Sequence, residues 1–452
     1  MPPRTPNERP LAGSVPMEPN GLDGRKADTP PPAWNGPRTG ALLLVPIPVH
    51  RATATCAARR AGTQKRIKEL PGKAMDVAFL FNAQEHQILH ALPVACELSR
   101  LRAEIRVTVF VRTEAQLALA RRLASYYPGH RLAFERLHEP WPVAALAKTF
   151  GNPKALTLWA NRARLNPFDA LVVPERTTLL LKKMGVTRPL FIHLAHGPGG
   201  YDRPDDKRLA AFDLLLMPNV TRLTDIMAAG NAQPGRAAVI GGVKLDLIRR
   251  MCASAGRKPL FANGRPTIVY NPHHRAGTTS WTEMGEAVLD RFAAGSDYDL
   301  VFAPHIRLFD PPRRFRARFR KYERLDHVRV DLGSNSSIDM SYMLGADIYL
   351  GDISSQVLEF IARPRPAIFL NPRRLAWRGD RDFVNWRLGP VVEDMEGLEQ
   401  ALATRDVWQG AYEPVQRRAF AAAFPATDEP APTLGARAIA DFLAEGRVAL
   451  PA

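Results

Sequence analysis

The fold class is clearest in residues 346–360, ADIYLGDISSQVLEF. A short apolar run ends there at Gly351-Asp352, and a helical pattern begins at Ser354-Ser355. A strand that passes directly into a helix is the unit from which parallel α/β sheets are built. We therefore expect residues 347–352 to form one strand of such a sheet.

The same unit recurs on both sides of this segment. Short apolar runs lie at residues 77–81, 105–111, 170–174, 189–194, 213–218 and 237–242 in the first half, and at 267–272, 299–304, 328–332, 347–352 and 367–371 in the second. Helical patterns such as 85–102 and 114–126 separate them. This alternation predicts an α/β protein with two Rossmann-like domains facing a cleft, residues 75–250 and 262–430. Residues 431–452 are expected to form a C-terminal helix, over 434–445, and a tail.

The first 74 residues differ in composition from the rest of the chain. They hold 13 of the 40 prolines, and 12 basic residues against 5 acidic ones. We expect this leader to be disordered, because such a segment cannot bury enough apolar surface to offset the cost of ordering. Met75 opens the first strand, so either it is the native start or residues 1–74 are a basic tether.

The overall composition of the 452 residues is that of a globular protein, with 46% hydrophobic and 24% charged residues and a net charge of +17. Cys56, Cys96 and Cys252 are too few and too scattered for a disulfide scaffold or a paired metal site, so we expect unpaired thiols. No apolar run approaches the roughly 20 residues of a membrane span. These features predict a soluble, cytoplasmic protein, and no nucleic-acid-binding module accompanies the positive charge.

Candidate catalytic groups follow the predicted strands. His196 in IHLAHGPGGYD (192–202) comes just after a strand, and Gly197 and the later glycines let the backbone approach a ligand. An imidazole at this position can act as a general base near neutral pH. The alternative is a glycine turn with a solvated histidine. His193, which points the opposite way on the same strand, is expected to be packed.

The segment that follows Gly351 predicts an anion site. Free backbone N–H groups at a helix start, beside the hydroxyls of Ser354 and Ser355, suit a phosphate. Glu359 lies on about the same helix face as Ser355, where its carboxylate can accept hydrogen bonds from ribose hydroxyls. Helix capping by Asp352 or Ser354 is the alternative that requires no ligand.

Two further strand ends carry histidine. His305 follows a strand in VFAPHIR (301–307), and His273, His274 and Arg275 follow another in IVYNPHHRAG (268–277). Their donor or cationic groups suit a phosphate, although a solvated loop would have the same sequence.

Taken in order, these motifs resemble the CDP-glycerol glycerophosphotransferase family, whose members build poly(glycerol phosphate) chains of the teichoic-acid type on a GT-B fold. The likeness runs from about residue 190 to 372. Six segments carry it: LAHGPGG (194–200), DLLLMPNVTRLTDIM (213–227), AAVIGGVKLDLI (237–248), IVYNPHHR (268–275), VFAPHIR (301–307) and ADIYLGDISSQVLEF (346–360).

The resemblance implies roles for individual residues. His196 corresponds to the family's catalytic base, His305 to its second essential histidine near the donor diphosphate, and Ser354-Ser355 to its phosphate-binding serine pair. The sequence departs from the family at four places: Ile306 replaces a proline, Val243-Lys244 replaces Pro-Arg, Ile353 replaces a tyrosine, and Glu359 replaces the usual aspartate. A glutamate at that position is common in nucleotide-sugar GT-B enzymes, so the donor identity stays open.

The function that the resemblance implies is transfer of a glycerol-phosphate-like group from a CDP-activated donor to an acceptor hydroxyl, in cell-surface polymer synthesis. His196 and His305 are the expected catalytic residues, and the expected donor-binding residues are Gly197, Arg275, Asp352, Ser354, Ser355 and Glu359. No Asp-x-Asp motif stands at a strand end, so we expect transfer without metal or cofactor. The alternatives are a GT-B glycosyltransferase, a UDP-sugar 2-epimerase, and a non-catalytic scaffold that binds a nucleotide or a polymer.

One basic stretch bears on the acceptor. PPRRFRARFRKYERL (311–325) repeats Phe315, Phe319, Tyr322 and Leu325 at helical spacing among six basic residues. Such a helix suits the interface of an anionic membrane or an anionic polymer, and hence a lipid-linked acceptor at the inner face of the plasma membrane. The alternative is a helix that docks its aromatic residues onto its own domain.

Overall fold

The computed structural model describes residues 74–140, 154–197, 205–255, 259–295 and 297–448. Residues 1–73, which include Cys56 and nearly all of the predicted leader, lie outside these ranges. Cys96 and Cys252 are free thiols, as expected. No helix in the described part of the chain combines the length and the apolar character that a membrane span requires.

Seven parallel strands within the described ranges form the first sheet, in the order β3-β2-β1-β4-β5-β6-β7. Their bounds are β1 (Met75–Phe81), β2 (Ile105–Val111), β3 (Leu132–Arg136), β4 (Ala170–Val173), β5 (Leu190–Leu194), β6 (Leu214–Met217) and β7 (Ala237–Val239). The helices that accompany them are α1 (His86–Leu101), α2 (Glu114–Ala124), α3 (Lys154–Leu165), α4 (Leu180–Lys183), α5 (Val220–Ala228) and α6 (Val243–Ala255), with 3₁₀ turns at Arg176–Leu179 and Leu209–Ala211.

Six parallel strands of the described chain form the second sheet, in the order β10-β9-β8-β11-β12-β13. Their bounds are β8 (Thr267–Asn271), β9 (Asp299–Phe302), β10 (Val328–Val330), β11 (Ile348–Gly351), β12 (Ala367–Leu370) and β13 (Val391–Val392). The accompanying helices are α7 (Trp281–Ala294), α8 (Arg316–Glu323), α9 (Asn335–Ile338), α10 (Ser341–Gly345), α11 (Gln356–Phe360), α12 (Met395–Ala403) and α13 (Arg405–Ala423), with 3₁₀ turns at Pro312–Arg314 and Arg381–Leu388.

Hydrophobic cores lie on both faces of each sheet. The strands are buried on both sides and are therefore apolar throughout, as in β4 and β12. Every strand predicted from the sequence is present, and the α/β prediction is confirmed. The prediction omitted β3, an edge strand that alternates in exposure, and β13, which has only two residues.

The last helix, α14 (Ala431–Glu445), returns to the first half of the chain. It packs against α1, where a Cβ on Gly435 would lie only 3.0 Å from Val94, so a small residue is required at this contact. Ile439 and Phe442 of α14 are fully buried in the core beneath the first sheet. The helix ends at Gly446, whose positive φ of 75° suits a glycine C-cap.

The basic helix α8 is docked onto its own half of the molecule. Phe319 and Tyr322 are buried in the core of the second sheet. On the outer face, Arg318 binds Glu286 and Lys321 binds Asp290, both at N–O distances below 3 Å. The helical spacing of the aromatic residues is therefore explained by their packing inside the protein, and no membrane contact is needed to explain it.

Candidate functional site

The two sheets have the same topological feature, a reversal of strand order, which lies between β1 and β4 in the first and between β8 and β11 in the second. In open parallel sheets, ligands bind beyond the carboxyl ends of the strands at this point. The loops after β1, β4 and β5, and those after β8, β9 and β11, carry the polar residues described below.

His196 stands two residues after β5 and is half-buried. Its Nδ1 lies 3.2 Å from the backbone oxygen of Pro174, which follows β4. A carbonyl can only accept, so Nδ1 donates and the lone pair of neutral His196 is on Nε2. Gly197 follows with a φ of 84°, the left-handed region that favours glycine. His193 is packed as expected, against Phe212.

Two histidines that the sequence analysis did not select flank His196. His86 and His90 lie one turn apart at the start of α1, and their ring centroids are 5.6 and 6.1 Å from that of His196. Burial lowers the pKa of both well below the usual histidine value, and the nearby positive charge of Lys244 lowers it further. Both rings are therefore neutral at neutral pH.

A carboxylate lies at the same edge of the first sheet. Glu175, which follows β4 and Pro174, accepts hydrogen bonds from Gln87 at 3.1 Å and from Lys154 at 2.9 Å. Burial raises the pKa of Glu175, but the hydrogen bonds from Lys154, Gln87 and Thr177 outweigh it and hold the pKa below its usual value. This ionised group ties α1 to the start of α3.

Three histidines meet in the second half. His273 and His274 follow β8, and His305 follows β9; their ring centroids are 4.2 to 4.8 Å apart. Burial is the main cause of the low pKa values, about 3 for His273, about 4 for His274 and about 2 for His305. The structure thus places His305, predicted as catalytic, beside the two histidines predicted only as a phosphate-suited loop.

The hydrogen bonds of this cluster determine its tautomers. The Nδ1 atoms of His273 and His305 accept from the backbone N–H groups of Arg275 and Arg307, at 3.3 and 3.2 Å. The proton of each neutral ring is therefore on Nε2, where it can be donated to a ligand. Nδ1 of His274 is buried and has no partner among the described residues.

A metal ion is the other ligand that three histidines suggest. One ligand atom from each of His273, His274 and His305 lies within 4.8 Å of the others. A metal at Nε2, however, requires an unprotonated Nε2 and a proton on Nδ1, the reverse of the tautomer that the backbone N–H groups select in His273 and His305. Arg275 and Arg307, whose charges lower the pKa of these rings, also oppose a cation. The cluster is better suited to an anion.

Arg275 is the one of these two arginines that was predicted to bind the donor. In the structure its side chain is paired with a carboxylate. Its guanidinium is exposed and lies 2.8 Å from Asp382. Arg307 is also exposed, and its charge lowers the pKa of His86 across the cleft as well as those of the three histidines on its own side. Arg307 is thus a cation common to both histidine groups.

The segment after β11 differs from the expected helix start. The helix α11 begins at Gln356 and has only five residues. The carboxylate of Asp352 is fully buried and accepts from the N–H groups of His273 and Ser280, at 2.9 and 2.8 Å. It holds the histidine loop after β8. Ser354 is buried, and Ser355 is half-buried at the start of α11.

Glu359 is bound from the first half of the molecule. The Lys244 Nζ, at the start of α6, lies 2.7 and 2.9 Å from the two carboxylate oxygens of Glu359. The pair lines a cleft whose other walls include His90, Gly197 and Met340. Gly197 from the first half and Glu359 from the second, both predicted to bind the donor, therefore line the same cleft.

The sequence analysis missed His86, His90, Lys244 and Arg307. His86 and His90 had a detectable signal, because they lie four residues apart at the start of the helix that follows the first strand. Arg307 was visible in VFAPHIR, two residues after His305. Lys244 was noted only as a departure from the family's Pro-Arg, and its pairing had no local signal because Glu359 is 115 positions away.

The two doubly wound sheets, with a C-terminal helix that returns to the first half, define the GT-B fold. Three solved structures illustrate the likeness. A putative UDP-N-acetylglucosamine 2-epimerase from Listeria monocytogenes is similar to this chain with a TM-score of 0.56 and 14% identity, over 84% of this chain and 100% of that one. For S. aureus MnaA, solved with UDP, the TM-score is 0.55 and the identity 11%, over 82% and 96% of the two chains.

The wall teichoic acid polymerase TagF, in a structure soaked with CDPG, is similar with a TM-score of 0.53 and 15% identity, over 87% of this chain and 96% of that one. The resemblance inferred from the motifs is thus confirmed at the level of the fold. No protein-family model and no curated protein matches the sequence.

Proposed function

We propose that this protein transfers a glycerol-phosphate-like group from a CDP-activated donor to an acceptor hydroxyl, in the synthesis of a cell-surface polymer. The observation that carries the proposal is the opposite tautomers of the cleft histidines. On one side the lone pair of His196 is on Nε2. On the other side His273 and His305 carry their protons on Nε2. The cleft therefore combines a proton acceptor with anion-binding donors.

The proposed reaction uses these groups as follows. His196 Nε2 takes the proton of the acceptor hydroxyl. The hydroxyl oxygen attacks the phosphorus that carries glycerol, the bond from that phosphorus to the CMP oxygen breaks, and CMP leaves with the electron pair. The Nε2–H groups of His273 and His305, together with Arg307, stabilise the charge that develops on the departing phosphate. A bound diphosphate also favours protonation of these rings.

The other predicted donor-binding residues have supporting parts in this proposal. Glu359, in the wall of the cleft, binds the ribose hydroxyls, and the backbone at Gly197 allows the donor to approach closely. Ser355, which is half-buried, contacts the diphosphate, whereas Ser354 is buried and accepts from the N–H of Gln356. Asp352 acts indirectly, because its carboxylate positions the loop of His273. Arg275 reaches the donor only if it leaves Asp382.

The proposed partners are a CDP-activated donor and a lipid-linked or polymeric acceptor. A cytoplasmic location at the inner face of the membrane would bring the protein to such an acceptor. The aromatic residues of α8 are buried in the protein core and so cannot contact a membrane. The exposed Arg320 and its basic neighbours are the remaining feature of α8 that would bind an anionic surface.

Sugar chemistry is the second candidate. Glu359 and the fold shared with UDP-sugar epimerases favour a GT-B glycosyltransferase or a 2-epimerase with a UDP-linked donor. A non-catalytic scaffold that binds a nucleotide would have the same cleft.

Ligand binding and product release distinguish these candidates. Thermal shift is measured with CDP, UDP, GDP and CDP-glycerol, since a ligand at about 100 times its dissociation constant stabilises by roughly 2.7 kcal/mol. CMP release from CDP-glycerol is then followed with a polyol-phosphate acceptor, with and without EDTA. Stabilisation by cytidine ligands and CMP release that EDTA leaves unchanged would support the proposal. Preference for UDP would favour sugar chemistry, and nucleotide binding without turnover would favour the scaffold.

A further inference from the structure

Glu175 is a nearly buried carboxylate that three side chains hold in place. Its side chain is only 12% exposed. One oxygen accepts from Gln87 Nε2 at 3.1 Å and from Lys154 Nζ at 2.9 Å, and the other accepts from Thr177 Oγ1 at 3.1 Å. The main-chain oxygen of Glu175 accepts from the N–H of Thr178 at 3.2 Å. Both the side chain and the backbone of Glu175 are therefore restrained.

The peptide unit between Pro174 and Glu175 contains the carbonyl that binds His196. Because a peptide unit is planar, the direction of this carbonyl depends on ψ of Pro174 and φ of Glu175. The ring of Pro174 fixes its own φ, and the contacts of Glu175 restrain the other side of the peptide. The carbonyl is thus held where it accepts from Nδ1 of His196, at 3.2 Å. The restraint on Glu175 is transmitted to the imidazole through one main-chain oxygen.

The same carboxylate holds the helix that carries a second histidine of this group. Gln87, which donates to Glu175, is next to His86 in the first turn of α1, and the His86 ring centroid is 5.6 Å from that of His196. Burial raises the pKa of Glu175, but its hydrogen bonds outweigh this and keep the pKa below its usual value. The carboxylate therefore remains charged at neutral pH, and its contacts persist.

We propose that Glu175 is a positioning residue for His196, which fixes the Pro174 carbonyl at Nδ1 and so keeps the lone pair of His196 on Nε2. This inference rests on the proposed role of His196 as the base, and it assigns control of that base to a residue outside the reacting groups. Without the carboxylate, the peptide after β4 rotates more freely and Nδ1 loses its acceptor. The tautomer that lacks a lone pair on Nε2 then gains population, and it cannot take a proton there.

The test measures the tautomer of His196 by ¹⁵N NMR on the histidine-labelled full chain without ligand, at about pH 8, where histidine side chains are neutral. His196→Asn assigns the signal. In E175A the ratio of the Nδ1–H to the Nε2–H form should fall by about 3-fold to 10-fold, the effect of losing one neutral hydrogen bond. E175Q keeps an oxygen that accepts from Gln87 and Lys154, and should keep the ratio. E104A removes an exposed glutamate before β2 and is the matched control.

Turnover and a second variant separate positioning from damage to the fold. In E175A the turnover number for CMP release should fall by about 3-fold to 10-fold, while the dissociation constant of CDP-glycerol stays within about 3-fold. K154M/T177V leaves the carboxylate with Gln87 alone and should shift the tautomer ratio in the same direction, so it replaces E175A if that variant does not fold.

An unchanged tautomer ratio in the folded variant would overturn the inference and leave the proposed function in place. If the unmodified protein releases no CMP from CDP-glycerol, the proposed function fails, whereas the tautomer ratio still decides whether Glu175 positions His196.

Discussion

The two sides of the cleft differ in which imidazole nitrogen carries the proton, and the backbone determines the difference. Pro174 offers an oxygen to Nδ1 of His196, whereas Arg275 and Arg307 offer N–H groups to Nδ1 of His273 and His305. The same side-chain type therefore presents a lone pair on one side and an N–H donor on the other. Each role depends on one main-chain group.

For His196 we expect a defect in chemistry and not in binding. His196→Ala should lower the turnover number for CMP release by about 10² to 10⁴, the usual contribution of a general base. The dissociation constant of CDP-glycerol, measured by calorimetry, should stay within about 3-fold of the unmodified value. Turnover equal to that of the unmodified protein would eliminate His196 as the base.

For Arg307 we expect the reverse pattern. Arg307→Gln should weaken CDP-glycerol binding by about 10-fold or more, because a charge-assisted hydrogen bond to the diphosphate is lost. Arg320→Gln is the matched control, since it removes an exposed arginine from α8. Equal dissociation constants for the two variants would contradict a role of Arg307 in donor binding.

At the scale of elements, the packing of α8 decides between the two interpretations of its aromatic and basic residues, a membrane-binding helix and a helix docked onto its own domain. Phe319 is fully buried against Trp281 and Phe302, with ring centroids 5.8 and 5.4 Å away. The aromatic face is therefore part of the core of the second half. What remains exposed on α8 is charged, and part of that charge is already paired within the chain.

This packing predicts a large effect on stability. Phe319→Ala should reduce the free energy of unfolding by about 3–5 kcal/mol, the cost of removing a buried phenyl ring. Val407→Ala, at a side chain that is 84% exposed on α13, should change it by less than about 0.5 kcal/mol. Both values are obtained from urea unfolding. A loss below about 1 kcal/mol for Phe319→Ala would mean that the ring is not part of the core.

The molecule as a whole gathers six of its 11 histidines into two groups, and the two groups are close enough for His86 to lower the pKa of His305. The first group is His86, His90 and His196, and the second is His273, His274 and His305. Five of them have lowered pKa values, for which burial is the main cause. The folded state thus keeps these five rings neutral at neutral pH, although Arg307 and Lys244 lie close to them. Such a group of rings is suited to an anionic ligand and is costly to protonate without one.

Stability should therefore decline in acid. Below about pH 6.5 the unfolded histidines bind protons that the folded ones do not, so the free energy of unfolding falls as pH decreases, by up to about 1.4 kcal/mol per pH unit for each histidine. Asp352 acts in the opposite sense, because burial raises its pKa to about 6. We expect a clearly lower urea midpoint at pH 5 than at pH 7.5. His274→Asn should make the decline shallower, and equal midpoints at the two pH values would contradict the account.

The sequence by itself determined the local units: the strands, the helices and the chemical groups at the strand ends. A strand or a helix depends on periodicities of a few residues, and the resemblance to GT-B transferases rests on such short segments. His196, His305 and Glu359 could be selected because they follow apolar runs at recognisable distances. The edge strand β3 and the two-residue β13 were missed because short or half-exposed strands leave little pattern.

Only the tertiary structure decided which of these groups meet. Lys244 and Glu359 are 115 positions apart, and no local pattern connects them. His86 approaches His196 because β1 and β5 lie on either side of β4 in one sheet, so the loops beyond them share an edge. The tautomers, the burial of Asp352 and the pairing of Arg275 likewise depend on main-chain and side-chain groups brought together by folding. Proximity across a folded chain depends on the packing of whole elements, which short sequence periodicities do not encode.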